Sequence, residues 1–343
     1  MAGAIAAALR VKLSVEPAAV RRHTPIIPAH EAYLRGMHYV LNPTPASFSH
    51  AKQHLEQAIA LDPGFALPYS MLGRGYFARA YYGLLPAGEA MPLVRREAQT
   101  ALDIDSSLPE AQGLLGSVAA VYDYDWKLAE HYYQLAMAHE PVPALVRFSY
   151  AASYLLNLGR SLDATHQMAL AVRDDPLNGL YHVMLGMCLE ASGKDGSEEL
   201  RRAVELDDNH FLTFLVLGWI NASRGRIAEA LAAAERAYSL APWRSGAIGE
   251  LAGVLVLSGN RDRAQGLLDK LGSGQAYGAS HGLATFHLLC SDIDRAADWV
   301  EKAIEERDPS VLHSLRAPYA QPLRSSRHWP KLAKLMNLPP EAL

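Results

Sequence analysis

Paired histidines are the first residues of this chain that could bind a metal. His50 and His54 stand four residues apart, a spacing that brings two imidazoles to one face of a helix. Ala51, directly after His50, opens a small-residue face that we expect to be buried, so both imidazoles should face solvent. The chain has 14 histidines, but they form no HExxH pattern or His/Cys cluster. We therefore predict no metal site.

Two nearby carboxylates, Asp123 and Asp125, are the next candidates for chemistry. They lie among aromatic residues in the segment YDYDW at 122–126. We favour a structural role, in which Asp125 caps a helix that begins at Trp126 and the aromatic rings pack between helices. The glycines of Gly73-Arg-Gly75 lack the third glycine and the preceding strand of a phosphate-binding loop. No P-loop motif occurs and nothing raises the serines above background, so the sequence predicts no enzyme and no cofactor, although a serine nucleophile stays open.

Composition narrows the class of protein. Half of the 343 residues are hydrophobic and 20% are charged, which is enough for a continuous core. A net charge of −4 argues against a direct nucleic-acid interface, which would carry a basic stripe. Cys188 and Cys290 stand in apolar stretches and are expected as packed thiols of a reducing compartment. With no apolar run of roughly 18 residues and no basic segment before the first apolar run, we expect a cytoplasmic chain without membrane contact.

The strongest pattern is an Ala-rich amphipathic helix that repeatedly ends in Leu-Asp-Pro or a variant. It reads AIALDPGF at 58–65, LAMAHEPVP at 135–143, LAVRDDPLN at 170–178 and RAYSLAPW at 236–243. The equivalent positions Pro141, Pro176, Asp208 and Pro242 are separated by 35, 32 and 34 residues. A fixed period in this range predicts a solenoid of stacked helical hairpins, with an open trough along it.

The hairpins can be delimited from the same pattern. We expect an N-terminal helix and linker at 1–29, a repeat array at 30–310 and a capping segment at 311–343. Ile5, Leu9 and Leu13 share one face of the first helix. The eight helix pairs of the array are expected at 30–41 with 46–60, 66–82 with 88–103, 109–121 with 126–139, 144–158 with 161–173, 178–192 with 196–206, 210–224 with 226–239, 245–258 with 260–271, and 279–290 with 292–306.

Small residues explain how such helices pack. Gly116, Gly186 and Gly218 fall in first helices and allow another helix to approach closely. Second helices carry alanines seven residues apart, two turns along one face, as at 164 and 171. Four glycines between the helices of a pair are expected in the left-handed conformation that ends a helix: Gly159, Gly193, Gly225 and Gly259.

These residues resemble the tetratricopeptide repeat family, which has Gly in the first helix, alanines seven apart in the second and Pro at the close. The unit FLTFLVLGWINASRGRIAEALAAAERAYSLAP at 211–242 carries the pattern most clearly, and the resemblance covers about 30–310. It implies an all-α, right-handed superhelical solenoid of stacked antiparallel helix pairs. Extra residues at 82–86, a short unit near 194–196 and the missing family tryptophan leave the register of units two, five and seven open.

A narrower resemblance concerns the segments AYLRGMHYVLN at 32–42 and VYDYDWKLAEHYYQLAMAHEP at 121–141. They are similar to repeat arrays that follow winged-helix DNA-binding regulators, adenylyl-cyclase domains or kinase domains in bacteria. The opening IAAALRVKLS resembles the join before such arrays. The resemblance implies the sensor or docking half of a bacterial signalling or regulatory protein. It transfers no catalytic activity, because the residues for that chemistry are missing from this sequence.

The resemblance also implies where a ligand lies. In the family's superhelix the first helices line a concave groove that holds an extended peptide or a partner helix. Counted from the first-helix glycines, the groove positions of this chain are Arg74, Phe77, Ser117, Ser149, Tyr150, Ser153, Asn157, Met187, Glu190, Trp219 and Ser223. The family's paired Lys/Asn/Arg clamp for a terminal carboxylate is missing. Aromatic, Met and small polar residues together suit an apolar segment that also accepts hydrogen bonds.

The sequence therefore predicts a non-catalytic protein-interaction scaffold that binds a peptide or partner domain in its concave groove. The alternative is a small-molecule-sensing regulatory domain that controls an effector. An enzyme on a helical solenoid is the third possibility and has the least support.

Overall fold

A computed structural model describes residues 24–41 and 44–342. Every regular element within these residues is helical. None of these helices combines the length and the apolar character needed to cross a bilayer. The helix expected around Ile5, Leu9 and Leu13 lies outside the described residues, as does the beginning of the linker that follows it.

Sixteen helices of the described part form eight antiparallel pairs. Two of these helices continue into a π-helical turn, which is counted here with the helix that it extends. On this basis, each helix begins and ends within three residues of the expected position. The pairs are α1 (Ile27–Leu41) with α2 (Ser47–Leu61), α3 (Ala66–Tyr81) with α4 (Ala87–Ile104), α5 (Pro109–Val118) with α6 (Trp126–Ala136), α7 (Ala144–Ser149) with α8 (Ser161–Asp174), α9 (Gly179–Ala191) with α10 (Ser197–Leu206), α11 (Phe211–Ser223) with α12 (Ile227–Leu240), α13 (Ser245–Leu257) with α14 (Arg261–Leu271), and α15 (Ala279–Leu289) with α16 (Ile293–Glu305). The predicted all-α superhelix of helix pairs is thus confirmed.

Small residues bring the helices together as the pattern predicted. A Cβ on Gly186 would lie 2.9 Å from Leu200 Cγ on the paired helix α10, so only glycine fits without a shift. Ala164 and Ala171 are both fully buried on one face of α8. Gly225 takes a positive φ of 71° directly after α11, as predicted.

Two π-helical turns were not expected. α5 runs into one at Ala119–Asp123, and α7 runs into another at Tyr150–Leu155. A π-helical turn adds a residue per turn and often marks a functional site. Side chains that follow it therefore no longer face the direction that α-helical spacing predicts.

The polypeptide after α16 packs into the molecule. It forms α17 (Val311–Arg316), a 3₁₀ turn (Pro318–Ala320), α18 (Gln321–Arg324), α19 (Trp329–Leu335) and a last 3₁₀ turn (Pro340–Ala342). Five consecutive residues of α17, 311–315, are buried on all sides of the helix. One of its neighbours is α3, the first helix of an early unit. The His313 ring and the Tyr81 ring of α3 meet edge to face at a centroid distance of 5.2 Å.

Hydrogen bonds join early units directly to late ones. Trp126 Nε1 donates to Met336 O at 2.9 Å, and Arg244 Nη1 donates to Tyr81 O at 3.1 Å. Further bonds of this kind join Arg307 to Tyr122, Asn337 to Tyr124, Tyr277 to Ala80 and Arg316 to Asn157. The concave side of the superhelix is therefore closed over an interior cavity. This corrects the expectation of an open trough, which considered the repeats without the segment that follows them.

Candidate binding cavity

First helices supply most of the cavity wall, as the resemblance implied. The space that the cavity walls border has a volume of about 870 Å³, part of which is open to solvent. Its wall includes side chains from α3, α5, α7, α9 and α11, so five successive units face the same space. The opposite wall consists of Arg244 before α13, His281 of α15, and Ser310, His313 and Ser314.

Seven of the eleven predicted groove residues border this cavity: Arg74, Phe77, Ser117, Ser149, Ser153, Met187 and Trp219. Glu190 borders a neighbouring cavity of about 420 Å³, which Met187 and Trp219 also line. Glu190 is engaged there, because its carboxylate accepts hydrogen bonds from Arg224 Nη2 at 2.8 Å and from Gly196 N at 2.8 Å.

The remaining three predicted residues lie elsewhere. Tyr150 stacks on Tyr154 at a centroid distance of 5.6 Å. Asn157 is buried, and its Nδ2 donates to Ser153 O at 2.9 Å. Tyr150 opens the second π-helical turn and Asn157 follows it, whereas Ser153 within the turn still borders the cavity. Ser223 ends α11 in an exposed position, and its Oγ donates to Trp219 O at 2.8 Å.

Sequence reasoning missed the residues contributed by late elements. These are Arg244, His281, Ser310, His313 and Ser314. The repeat period gave no reason to place the segment after α16 inside the superhelix. One signal was available: the run VLHSL at 311–315 is mostly apolar around the whole helix, a pattern typical of a helix buried on every side.

The two metal candidates have other contacts. The His50 and His54 rings both lie beside the Tyr39 ring, with centroid distances of 5.3 and 5.9 Å. His50 is exposed as expected, whereas the contact with Tyr39 leaves His54 half-buried. Asp125 Oδ1 accepts a hydrogen bond from Leu128 N at 3.0 Å, which confirms the predicted helix cap.

A chain of polar groups at one side of the cavity resembles a nucleophile, base and acid. His281 Nε2 lies 2.5 Å from Ser314 Oγ, and His281 Nδ1 lies 3.0 Å from Ser310 Oγ. Ser310 Oγ donates to Asp308 Oδ1 at 2.6 Å. Burial lowers the pKa of His281 to about 3, so this imidazole is a poor acceptor for a serine proton at neutral pH. The network is better suited to fixing α17 against α15 than to catalysis.

Two guanidinium groups reach the cavity from opposite walls. Arg74 Nη1 donates to Ser149 Oγ at 3.1 Å, and Arg244 lies among the rings of Tyr81, Tyr82 and Phe211. Glu250 is completely buried near Arg244, and burial raises its pKa well above the usual range. Its neutral acid form is therefore favoured. Trp219 Nε1 approaches this carboxyl without meeting hydrogen-bond geometry.

Sequence comparison identifies the repeat and one regulatory relative. Residues 222–276 match the profile of the tetratricopeptide repeat. The transcriptional regulator HilA of Salmonella typhimurium strain LT2 is 26% identical over 144 residues, which are 42% of this chain and 26% of that protein. The chain thus matches about a quarter of the relative's length.

Two solved structures have a similar fold at low sequence identity. Yeast Tom70 is 16% identical, with a TM-score of 0.51 over 92% of this chain and 68% of that chain. The Cut9–Hcn1 hetero-tetramer of APC/C includes a chain that is 14% identical, with a TM-score of 0.55 over 89% of this chain and 62% of that chain. Residues 222–276 thus match the tetratricopeptide repeat, and the described chain as a whole shares the superhelical fold of these structures.

Proposed function

We propose that this chain is a non-catalytic regulatory module of a bacterial protein, which binds a protein partner and senses a small molecule held in its interior. The observation that carries the sensing role is the cavity closed by α17. A pocket lined by apolar and aromatic side chains with a few polar groups is typical of small-molecule sites. Aromatic, Met and Arg side chains from several units converge on it.

Packing argues against a peptide as the resident ligand. An extended peptide along the first helices would have to displace α17 and expose Val311, Leu312 and Leu315, each at most 3% exposed now. Exposing one such side chain costs about 1.5–3 kcal/mol. The peptide groove predicted from the repeats therefore competes with the chain's own segment, while a small molecule fits beside it.

The regulatory setting rests on the relative. HilA is a transcriptional regulator, and its matching part is similar to this chain over 144 residues. A net charge of −4 favours a protein partner over direct contact with nucleic acid. We propose that the partner binds the outer surface in the cytoplasm, where it responds to whether the cavity is filled.

A thermal-shift screen tests the sensing role. We expect members of a small-molecule library, rather than library peptides, to stabilise the protein by about 2.7 kcal/mol at a hundredfold excess over Kd. Leu180→Trp, at the cavity wall, should weaken that stabilisation. Leu177→Trp is the matched control, because Leu177 is 71% exposed three residues away. Stabilisation by peptides alone, with no effect of Leu180→Trp, would contradict the proposal.

A further inference from the structure

Arg74 brings a positive charge to the cavity and forms no ion pair with a carboxylate of the part of the chain that the structure describes. The guanidinium donates to the Ser149 hydroxyl and lies 5.4 Å from the centroid of the Phe148 ring. A charge that is partly withdrawn from water costs free energy when no counter-ion lies beside it. An anion that entered the cavity would remove that cost.

Arg244 presents a second guanidinium from the opposite wall. Its residue exposure is 6%, and its Nε has no hydrogen-bond partner among the described residues. The centroids of the Tyr81, Tyr82 and Phe211 rings lie 5.3–5.6 Å from Cζ. The one hydrogen bond it makes in this part of the chain, to Tyr81 O, uses a single donor of the five that a guanidinium offers.

The acidic groups nearest to Arg244 do little to neutralise it. Glu250 and Asp308 form no ion pair with it within the described ranges, and burial raises the pKa of both carboxyls. Asp308 Oδ1 is occupied by Ser310, whose N donates at 2.9 Å and whose Oγ donates at 2.6 Å. The cavity thus holds two guanidiniums and no matching pair of carboxylates.

The rest of the cavity divides into a polar and an apolar part. Ser149 and Ser153 supply hydroxyl groups on the side of Arg74. Met187, Val216 and Trp219 line the cavity and continue into the neighbouring space of about 420 Å³. The apolar tail of a ligand with its anionic head beside the arginines would contact these three side chains.

We propose that the interior cavity binds a carboxylate with an unbranched apolar tail, whose head pairs with Arg74 and Arg244. This assignment rests on the proposed sensing role and names the ligand class. The planar, two-oxygen head of a carboxylate matches the fork of a guanidinium, which donates two parallel N–H bonds to it. The apolar tail displaces water from Met187, Val216 and Trp219.

Isothermal titration with monomeric decanoate tests the assignment. Decanol and the decyltrimethylammonium cation share the tail and serve as comparison ligands. We expect decanoate to bind at least tenfold more tightly than the other two ligands, because only its head carries the negative charge that pairs with the guanidiniums. A tenfold difference in Kd corresponds to about 1.4 kcal/mol. Equal binding of decanol would overturn the assignment, since the head would then contribute nothing.

Arginine variants locate the head. Arg74→Met should weaken decanoate binding about tenfold to hundredfold, the range for a lost charged hydrogen bond. Arg79→Met on the same helix is the matched control, because Arg79 packs on Phe48 away from the cavity. Arg244→Met should act like Arg74→Met, and circular dichroism checks its folding because Arg244 also joins α13 to α3. If Arg74→Met binds decanoate as tightly as Arg79→Met, the assignment is wrong.

The outcomes separate the ligand class from the sensing role. Stabilisation by a neutral or cationic small molecule that Leu180→Trp abolishes would retain the sensing role and refute the carboxylate. Failure of every small molecule to bind would refute both.

Discussion

At the scale of single residues, the interior is unusual for the ionisable groups it buries. His281 and His313 lie beside Arg244, and burial lowers the pKa of these imidazoles to about 3 and about 4. Both are therefore neutral at physiological pH. Arg74 keeps its charge at the opposite wall although burial lowers its pKa. These groups leave positive charge in the interior and make its stability sensitive to acid.

His313 makes a specific pH dependence testable. An unfolded histidine has a pKa of about 6.5, so the folded state binds fewer protons between about pH 6.5 and about pH 4. The stability linked to His313 is present above this window and is lost as pH falls through it. Between about pH 7.5 and about pH 5, we expect the wild type to lose about 2 kcal/mol more than His313→Gln. Urea unfolding of both proteins at each pH measures the difference.

Other titrating groups cancel in this comparison. His281, Glu250, Asp308 and Arg244 surround the same interior and are present in both proteins. Equal losses of stability in the wild type and in His313→Gln would show that His313 does not bury a neutral imidazole.

At the scale of elements, glycine spacing decides how units stack. Gly218 on α11 faces α13 of the next unit, where a Cβ would come 1.9 Å from Glu250 Oε1. This contact lies between units, whereas the corresponding glycine of α9, Gly186, faces its own partner helix. The same position in the repeat therefore serves two kinds of helix contact.

Substitution of this glycine tests the contact. Gly218→Ala forces the buried Glu250 side chain to move, so we expect a loss of about 1–3 kcal/mol in unfolding free energy, the usual cost of overpacking. Gly266→Ala is the matched control: it is helical, exposed and without neighbours within 4 Å. Alanine there should raise stability by up to about 1 kcal/mol. Denaturant unfolding compares them, and similar effects of the two changes would refute the packing argument.

The helices and their pairing could be predicted because their signals are local. Glycine, alanine and proline at fixed spacing define each hairpin. Asp125 marks the start of α6 by accepting a hydrogen bond from the backbone N–H three residues later. The π-helical turn at Tyr150–Leu155 carries no such signal, so α-helical spacing could not predict that Ser149 and Ser153 border the cavity while Tyr150 stacks on Tyr154. Arg244 and His313 were missed for a different reason. Their approach to Tyr81 depends on the rotation accumulated over several units, which no single repeat encodes.

At the scale of the whole molecule, the superhelix closes on itself. Contacts such as Trp126 with Met336 span 210 residues of sequence. An open solenoid unfolds from its ends because each unit touches only its neighbours. A closed one ties its early and late units together, so we expect these units to unfold as one cooperative body.

Trp126→Phe tests this coupling. The change removes the indole N–H and leaves Met336 O without its donor, which should cost about 1–3 kcal/mol. Trp299→Phe is the control, because Trp299 donates no hydrogen bond within the described residues. Tryptophan fluorescence and circular dichroism should report one coincident, weakened unfolding transition for Trp126→Phe. Two separate transitions in the wild type would contradict the coupling.

The central claim is that the chain's own segment closes the concave face, and hydrogen–deuterium exchange tests it most directly. Amides of α17 should exchange as slowly as those of α13, because the segment 311–315 is buried on all sides. Exchange of α17 as fast as that of the exposed loop residues Gly272 and Ser273 would show that the groove is open and would contradict the account.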